Sequence, residues 1–135
     1  MSERGSITLW LLGLGLVLMV LGGISVDLWR GISERSALYH AASAAAAAGA
    51  SGIDENLWRA SGILRLEPET AEDLAAVSLI SQPRWEELSR HEVTVEDLTI
   101  EVTLERPLRL TLLRLLGLDE IVVRARAQAQ PRFVP

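Results

Sequence analysis

The feature that most constrains this chain is the run from Ile7 to Val26, 20 residues without a single charged side chain. An α-helix rises about 1.5 Å per residue, so about 20 apolar residues cross the roughly 30 Å hydrocarbon core of a bilayer. In lipid each backbone N–H and C=O needs a partner inside the segment, which favours a helix despite the glycines of the run. We therefore predict one membrane anchor. The anchor residues are Ile7, Leu9, Trp10, Leu11, Leu12, Leu14, Leu16, Val17, Leu18, Met19, Val20, Leu21, Ile24 and Val26.

Residues at the two ends of the run are typical of a lipid–water interface. Arg4 precedes it, and Asp27, Trp29 and Arg30 follow it. An indole at this level keeps its ring in the acyl boundary and its N–H in water. A six-residue flank cannot hold a folded domain, so we predict a cytoplasmic N-terminus and an extracytoplasmic C-terminal domain. A cleaved secretory signal is the alternative, but its apolar region usually has about 7–15 residues and a small-residue cleavage site follows at once.

Glycines inside the run and alanines after it predict close packing. Gly22 and Gly23 are typical of positions where a neighbouring helix approaches. Beyond the run no proline interrupts the helical pattern, and small residues then dominate. Because alanine favours helix and has little bulk, this part is a predicted packing surface, either on the chain's own sheet or between subunits. The helix-packing residues are Ala41, Ala42, Ala44, Ala45, Ala46, Ala47, Ala48 and Gly49.

These patterns divide the chain into four parts. Residues 1–6 form a cytoplasmic flank, residues 7–26 the transmembrane helix, residues 27–50 its Ala-rich continuation, and residues 51–135 an extracytoplasmic α+β domain. The predicted fold class is α+β: one long N-terminal helix with a small antiparallel sheet and one or two short helices.

Helix signals in the domain are local. Residues 51–67 are predicted as loop with a short strand at 63–66. Pro68 at a first helical turn predicts a helix over 68–81, and a start two residues later, with Thr70 and Asp73 as a capping box, is the alternative. The apolar segment from Pro107 to Gly117 predicts a short helix with a glycine cap.

Strand signals follow a period of two. Apolar and polar residues alternate over 98–105 and again over 121–130, where the apolar side shrinks to alanine. Val93 and Val95 stand in the opposite phase, which indicates either a bulge near Asp97 or a separate strand. If the two strands are neighbours, Arg124 and Arg126 would lie opposite Glu101 and Glu105.

Composition argues against several classes of function. The net charge is −5, which does not favour a nucleic-acid partner. The chain has no cysteine, and its two histidines, His40 and His91, have no spacing typical of a metal site. Paired carboxylates are most simply solvated faces. We predict no catalytic residue, no metal ligand and no cofactor, and we do not predict an enzyme.

The first third of the chain resembles the TadE/TadG-like proteins of Flp (tight adherence) pilus assembly. The similarity lies in Arg4-Gly5-Ser6 before the anchor, the uninterrupted apolar run, Asp27 closing it, and the Ala block ending in Ala-Gly-Ala. Leu116-Gly117 before an alanine-alternating strand is similar to the ends of many such proteins. This resemblance covers residues 1–54 most clearly.

The resemblance implies a pilin-like or pseudopilin-like membrane protein that acts with other pilus-assembly subunits. Its partners would be the lipid bilayer, those subunits and a second copy through the N-terminal helix. Pilin-like members keep a Gly followed five residues on by Glu, where prepilin peptidase cuts. Counting from Gly5 gives Trp10, so cleavage before Ser6 departs from that pattern and the chain is closer to the permanently anchored TadG-like side.

We therefore predict a single-pass cell-membrane protein that is a structural or assembly component of a Tad/Flp-type pilus or a related secretion system. A minor pilin extracted into a fibre is one alternative. A membrane-tethered sensor or ligand-binding module is another, and it would require a sizeable pocket in residues 54–135.

Overall fold

A long helix and a small sheet organise the molecule. The computed structural model describes residues 3–132, with the side chains of residues 6–115 and 117–132. Within that range the helices are α1 (Glu3–Gly49), α2 (Glu55–Ser61) and α3 (Pro68–Ile80), and the strands are β1 (Arg90–Glu96), β2 (Thr99–Arg109) and β3 (Glu120–Ala129). Short 3-10 turns occupy Trp85–Glu87 and Leu113–Leu116. The α+β prediction is confirmed, as is the single N-terminal helix, whose 47 residues make one uninterrupted rod.

The sheet has the order β1-β2-β3 and is antiparallel throughout. The C-terminal half of α1 lies across its inner face beside α3. Alanines from both sides meet there, which lets backbone approach backbone closely. The buried core consists of Leu38, Ala42, Ala45, Ala46, Ala50, Leu66, Ala71, Ala75, Leu79, Ile100, Val102, Leu104, Val123, Ala125 and Ala127.

β3 runs alongside α1 and points away from its apolar run. A Cβ added at Gly31 would lie 4.0 Å from Ile121 near the start of β3. One at Gly49 would meet Ile100, which pairs with Ala129 at the other end of β3. β2 therefore runs towards the apolar run, and the connection between β2 and β3 lies at the end of the domain next to that run.

The first two strands form a tight hairpin. Glu96 pairs with Thr99, so Asp97 and Leu98 make a two-residue turn. Asp97 takes the left-handed backbone that such turns need, with φ 48°. The separate-strand interpretation is thus correct and the bulge interpretation is wrong. Leu98 was predicted as the first apolar residue of the inward strand face, but it lies in the turn and is 37% exposed.

The helix predicted from Pro107 to Gly117 is wrong at its start, because β2 continues to Arg109. The Leu110 N–H donates to the Asp119 carbonyl (3.0 Å), which extends the β2–β3 pairing. Backbone groups at even positions of β2 therefore face β3, and those at odd positions face the side where β1 lies. The pairing with β1 stops at Glu105. The backbone of Pro107 points to that side with no strand beside it, so its missing N–H costs no hydrogen bond of the sheet. Only the 3-10 turn at Leu113–Leu116 remains of the predicted helix.

α2 was not predicted. Asp54 caps it by accepting the Leu57 N–H at 2.9 Å, and Gly62 ends it with φ 70°. The predicted strand at 63–66 is reduced to one bridge between Ile53 and Leu66. The helix predicted over 68–81 is confirmed as α3, which starts at Pro68, so the later start is wrong.

The cross-strand ion pairs predicted from the sequence are confirmed. Arg124 pairs with Glu105, and the Arg126 Nε lies 3.2 Å from a Glu101 oxygen. Arg124 is directly opposite Glu105 in the register, whereas Arg126 reaches Glu101 diagonally.

We expect Gly49→Ala to destabilise the domain by about 1–3 kcal/mol, as overpacking does in well-filled cores. Its Cβ would overlap the Ile100 side chain and lie 2.8 Å from the Ala71 carbonyl oxygen. Urea unfolding of the full chain in detergent micelles measures the change.

Gly31→Ala is the matched control on the same helix. Its Cβ would have only an ordinary contact with Ile121 at 4.0 Å, and alanine is about 0.8–1.0 kcal/mol better than glycine in a helix interior. Equal destabilisation by the two substitutions would contradict the close packing at Gly49.

Candidate functional site

The N-terminal part of α1 presents a continuous apolar surface. The large side chains of residues 7–26 that are exposed range from 43% for Leu14 to 74% for Met19. A soluble monomer rarely leaves so large an apolar surface in water. Within residues 3–132, α1 is the one helix that is long and apolar enough to cross a membrane, by its length and composition. It therefore fits a membrane anchor.

The predicted interfacial residues have different surroundings. Trp29 is 71% exposed on α1, and Arg30 donates from Nη1 to the Thr111 hydroxyl at 2.7 Å. Asp27 is turned inward and only 1% exposed. The Arg4 side chain lies outside the described residues.

The Asp27 carboxylate joins α1 to the loop between β2 and β3. It accepts backbone N–H groups from Thr111 at 3.1 Å, Leu112 at 2.7 Å and Leu113 at 2.9 Å. These N–H groups begin the 3-10 turn at Leu113–Leu116, so no earlier turn of that helix supplies them with acceptors. Bonds from N–H groups to an ionised carboxylate are stronger than neutral ones. One side chain thus fixes this loop on the helix just beyond the apolar run.

Packing next to this carboxylate gives Gly23 its role. A Cβ at Gly23 would overlap the Leu112 side chain, whereas one at Gly22 would meet nothing within 4 Å. At Gly23 the close approach is made by the chain's own loop, whereas Gly22 is open.

Two turns further along α1, Glu34 forms a buried ion-pair cluster. One of its oxygens accepts from Arg106 on β2 and the other from Arg84 at 3.0 Å. Arg106 is 5% exposed and also donates to the Arg84 carbonyl at 2.9 Å. Arg84 has a left-handed backbone with φ 62°, which non-glycine residues rarely adopt, and it also binds Glu87. The cluster ties α1 to the sheet and to the turn after α3.

Electrostatics keep this cluster charged. Burial alone would raise the pKa of Glu34, but the hydrogen bonds and charges of Arg106 and Arg84 outweigh burial, so its pKa lies below the usual range. The hydrogen bond from Arg84 likewise lowers the pKa of Glu87.

Sequence reasoning missed this cluster. Neither Glu34 nor Arg106 was singled out from the sequence, although Glu34 shares a helix face with Asp27 and Leu38, and Arg106 shares a strand face with Val102 and Leu104. That periodicity was the available signal.

The small residues of α1 are divided between core and surface. Ala42, Ala45, Ala46 and Gly49 are buried against the chain's own sheet and α3, Ala41 and Ala48 are half-buried, and Ala44 and Ala47 are exposed. Of the predicted processing residues, Ser6 and Trp10 are exposed on α1. The surroundings of Gly5 lie outside the described residues.

Cavities bear on ligand binding. A hollow bordered by Trp85 and His91, and another bordered by Thr94 and Gln128, are lined by domain residues alone, and each has about 90 Å³. Small-molecule sites usually have about 300–1,000 Å³. Clefts of about 660, 530 and 730 Å³ lie where α1 contacts the edge of the sheet that β3 forms. The larger concave surfaces therefore belong to the junction with the rod.

Comparison with known proteins identifies one family. The model of the Flp pilus-assembly TadE/G-like family (Tad) matches residues 5–52. Searches of curated proteins and of solved structures find no match. The resemblance predicted from the sequence is therefore confirmed over α1 and the turn that follows it.

We expect Glu34→Gln to destabilise the fold at neutral pH by about 3–5 kcal/mol, as breaking a buried ion pair does. The folded pKa of Glu34 is below its ordinary value of 4.5. Its ionised form therefore stabilises the fold above that value, and the stabilisation is lost as pH falls through the folded pKa. Unfolding measured from pH 7 to pH 3 should show a flatter pH dependence for the variant.

Glu55→Gln is the control, because Glu55 also pairs with an arginine on a helix but is exposed. The Glu55 and Arg59 side chains are 73% and 74% exposed, and such pairs contribute about 0.3–0.5 kcal/mol. If the two variants have the same stability and pH profile, the buried cluster does not stabilise the junction.

Proposed function

We propose, from the match of residues 5–52 to the TadE/G-like family, that this chain is a single-pass membrane protein serving as a structural or assembly component of a Tad/Flp-type pilus or related secretion system. The observation that carries the proposal is the coincidence of three features in one segment. The matched residues contain the apolar run, the junction carboxylates Asp27 and Glu34, and the alanine face that packs on the sheet.

In the proposed orientation residues 7–26 cross the bilayer, residues 1–6 lie in the cytoplasm and residues 51–135 lie outside. Because α1 is continuous through the junction, the domain is fixed to the anchor by a helix rather than by a flexible linker. Such a rod holds the domain at a constant height above the membrane, which suits a structural role.

We favour a permanently anchored component over a subunit extracted into a fibre. A charged residue inside the run would be costly in lipid and would need a partner on a neighbouring subunit. In pilin-like proteins this charged residue is the glutamate five residues after the glycine of the processing site. Trp10 stands at that position here and is 73% exposed. The mature N-terminus is then expected at Met1 or Ser2, whereas an N-terminus at Ser6 would favour the minor-pilin role.

The surface available to other pilus subunits continues the apolar side of the rod. Ile32 is 69% exposed and Tyr39 51%, and they border the cleft of about 660 Å³ beside β3. Exposed apolar patches of this kind are typical of interaction sites. A sensor role in the domain itself is less favoured, because its own hollows near Trp85 and Thr94 are small.

We expect Leu14→Arg combined with Leu18→Arg to release the chain from the membrane. Each arginine at the centre of a spanning helix costs about 2.5–3.5 kcal/mol on insertion scales. Alkaline extraction of the membrane fraction measures anchoring, and electron microscopy counts surface pili in cells that carry the variant in place of the native gene. Loss of both is the expected result.

Leu14→Ala with Leu18→Ala is the control, because it changes the same two positions without adding a charge, and it should keep both the chain in the membrane and the pili. Retention of the double arginine variant would contradict the anchor. Unchanged pili in cells that lack the gene would contradict the assembly role.

A further inference from the structure

The loop between β2 and β3 is unusually apolar for a connection. Residues 110–119, which we name the leucine loop, contain six leucines. Leu115 is 81% exposed and Leu118 is 53% exposed. Neither is needed to close the domain core, so their exposure requires another explanation.

The leucine loop lies at the end of the domain that faces the anchor. β2 runs towards the anchor and β3 away from it, and the hydrogen bond from Leu110 N–H to the Asp119 carbonyl closes the base of the loop at 3.0 Å. The Leu112 side chain packs on Gly23. Gly23 is three residues inside the end of the apolar run, which corresponds to about 4.5 Å along the helix. The loop therefore overlaps the level of the anchor.

We propose that the leucine loop enters the lipid leaflet on the side of the domain, so that the chain contacts the bilayer at two places. This inference rests on the proposed membrane anchor. The acyl region is the occupant because Leu112 packs on Gly23 inside the apolar run, so the loop lies against the part of α1 that lipid already has to cover.

The backbone of the leucine loop is suited to a medium poor in water. Unpaired N–H groups are costly in lipid. Asp27 accepts those of Thr111, Leu112 and Leu113. Carbonyls of the loop itself accept the N–H groups of Leu115 and Leu118, both at distances of 3.0–3.1 Å.

Charged groups limit the depth of insertion. Arg114 lies 3.4 Å from Asp119, and their side chains are 73% and 78% exposed. Arginine can extend its guanidinium to the headgroups while its stem remains in apolar surroundings. Arg30, bound to Thr111, adds a second cation at this level. The loop therefore sits at the acyl–headgroup boundary, with Leu115 and Leu118 directed to lipid.

Spin-label accessibility tests this placement in the full chain. The native chain has no cysteine, so Leu115→Cys, Leu118→Cys, Leu16→Cys and Val77→Cys each give one labelled site. The labelled chains are placed one per nanodisc of phosphatidylcholine and phosphatidylglycerol. Relaxation by oxygen, which concentrates in lipid, is compared with relaxation by a water-soluble nickel complex. Leu16 is the anchor reference, and Val77, which is 67% exposed on α3, is the aqueous reference.

We expect the labels at Leu115 and Leu118 to resemble the Leu16 label, with an oxygen-to-nickel ratio several-fold above that at Val77. If they match Val77 while Leu16 remains protected from nickel, the anchor stands and the loop proposal is overturned. If Leu16 is also open to nickel, the proposed anchor fails and the loop proposal fails with it. Protection from both reagents at Leu115 would mean that protein covers the loop, which also overturns the proposal.

Discussion

The Asp27 carboxylate is the contact on which the arrangement of this molecule depends. It stands at the first position after an apolar run and accepts three consecutive backbone N–H groups from a loop more than 80 residues later in the chain. Without an acceptor, those N–H groups would be orphaned beside an apolar surface, where each lacks a water partner. The contact therefore converts a helix with a domain at its end into one rigid unit whose domain is fixed against the apolar run of α1.

Glu34, about two turns further along α1, is a second carboxylate that joins the helix to the domain, but its partners are arginines rather than backbone N–H groups. A buried ion pair is weak evidence of net stability, because desolvation of the charges offsets their attraction. It is a strong constraint on geometry, since the Arg106 side chain, which is 5% exposed, would lose its carboxylate partner while still buried if it left Glu34. Between Asp27 and Glu34 the rod is held to the sheet by polar contacts, and beyond Leu38 by alanine packing. The polar contacts specify one register of helix on sheet, which apolar packing of small residues alone specifies poorly.

The elements that the sequence predicted correctly are those governed by local rules. The charge-free run, proline at the start of α3 and the period-two pattern of β3 each have a local physical cause, and each appears in the structure. The errors arise where tertiary contacts decide. Pro107 suggested a helix start, but it fits β2 because β1 has already ended beside it. α2 is an exception, because its caps, Asp54 and Gly62, are local signals and the helix was still not predicted. Asp27 was predicted from its position after the run, but its partners are backbone groups of a distant loop, which no pattern in the sequence identifies.

Hydrogen exchange at the amides of Thr111, Leu112 and Leu113 tests the rigid junction most directly. In the full chain in nanodiscs, Asp27→Ala leaves these N–H groups without their acceptor, which costs about 1–3 kcal/mol. That loss should speed their exchange by about 5- to 150-fold if the loop opens locally. Asp119→Ala, which removes only an exposed carboxylate of the same loop, should leave exchange at these amides nearly unchanged. Equal exchange in the native chain and the Asp27 variant would contradict the account, because the domain would then not be fixed to its anchor by this carboxylate.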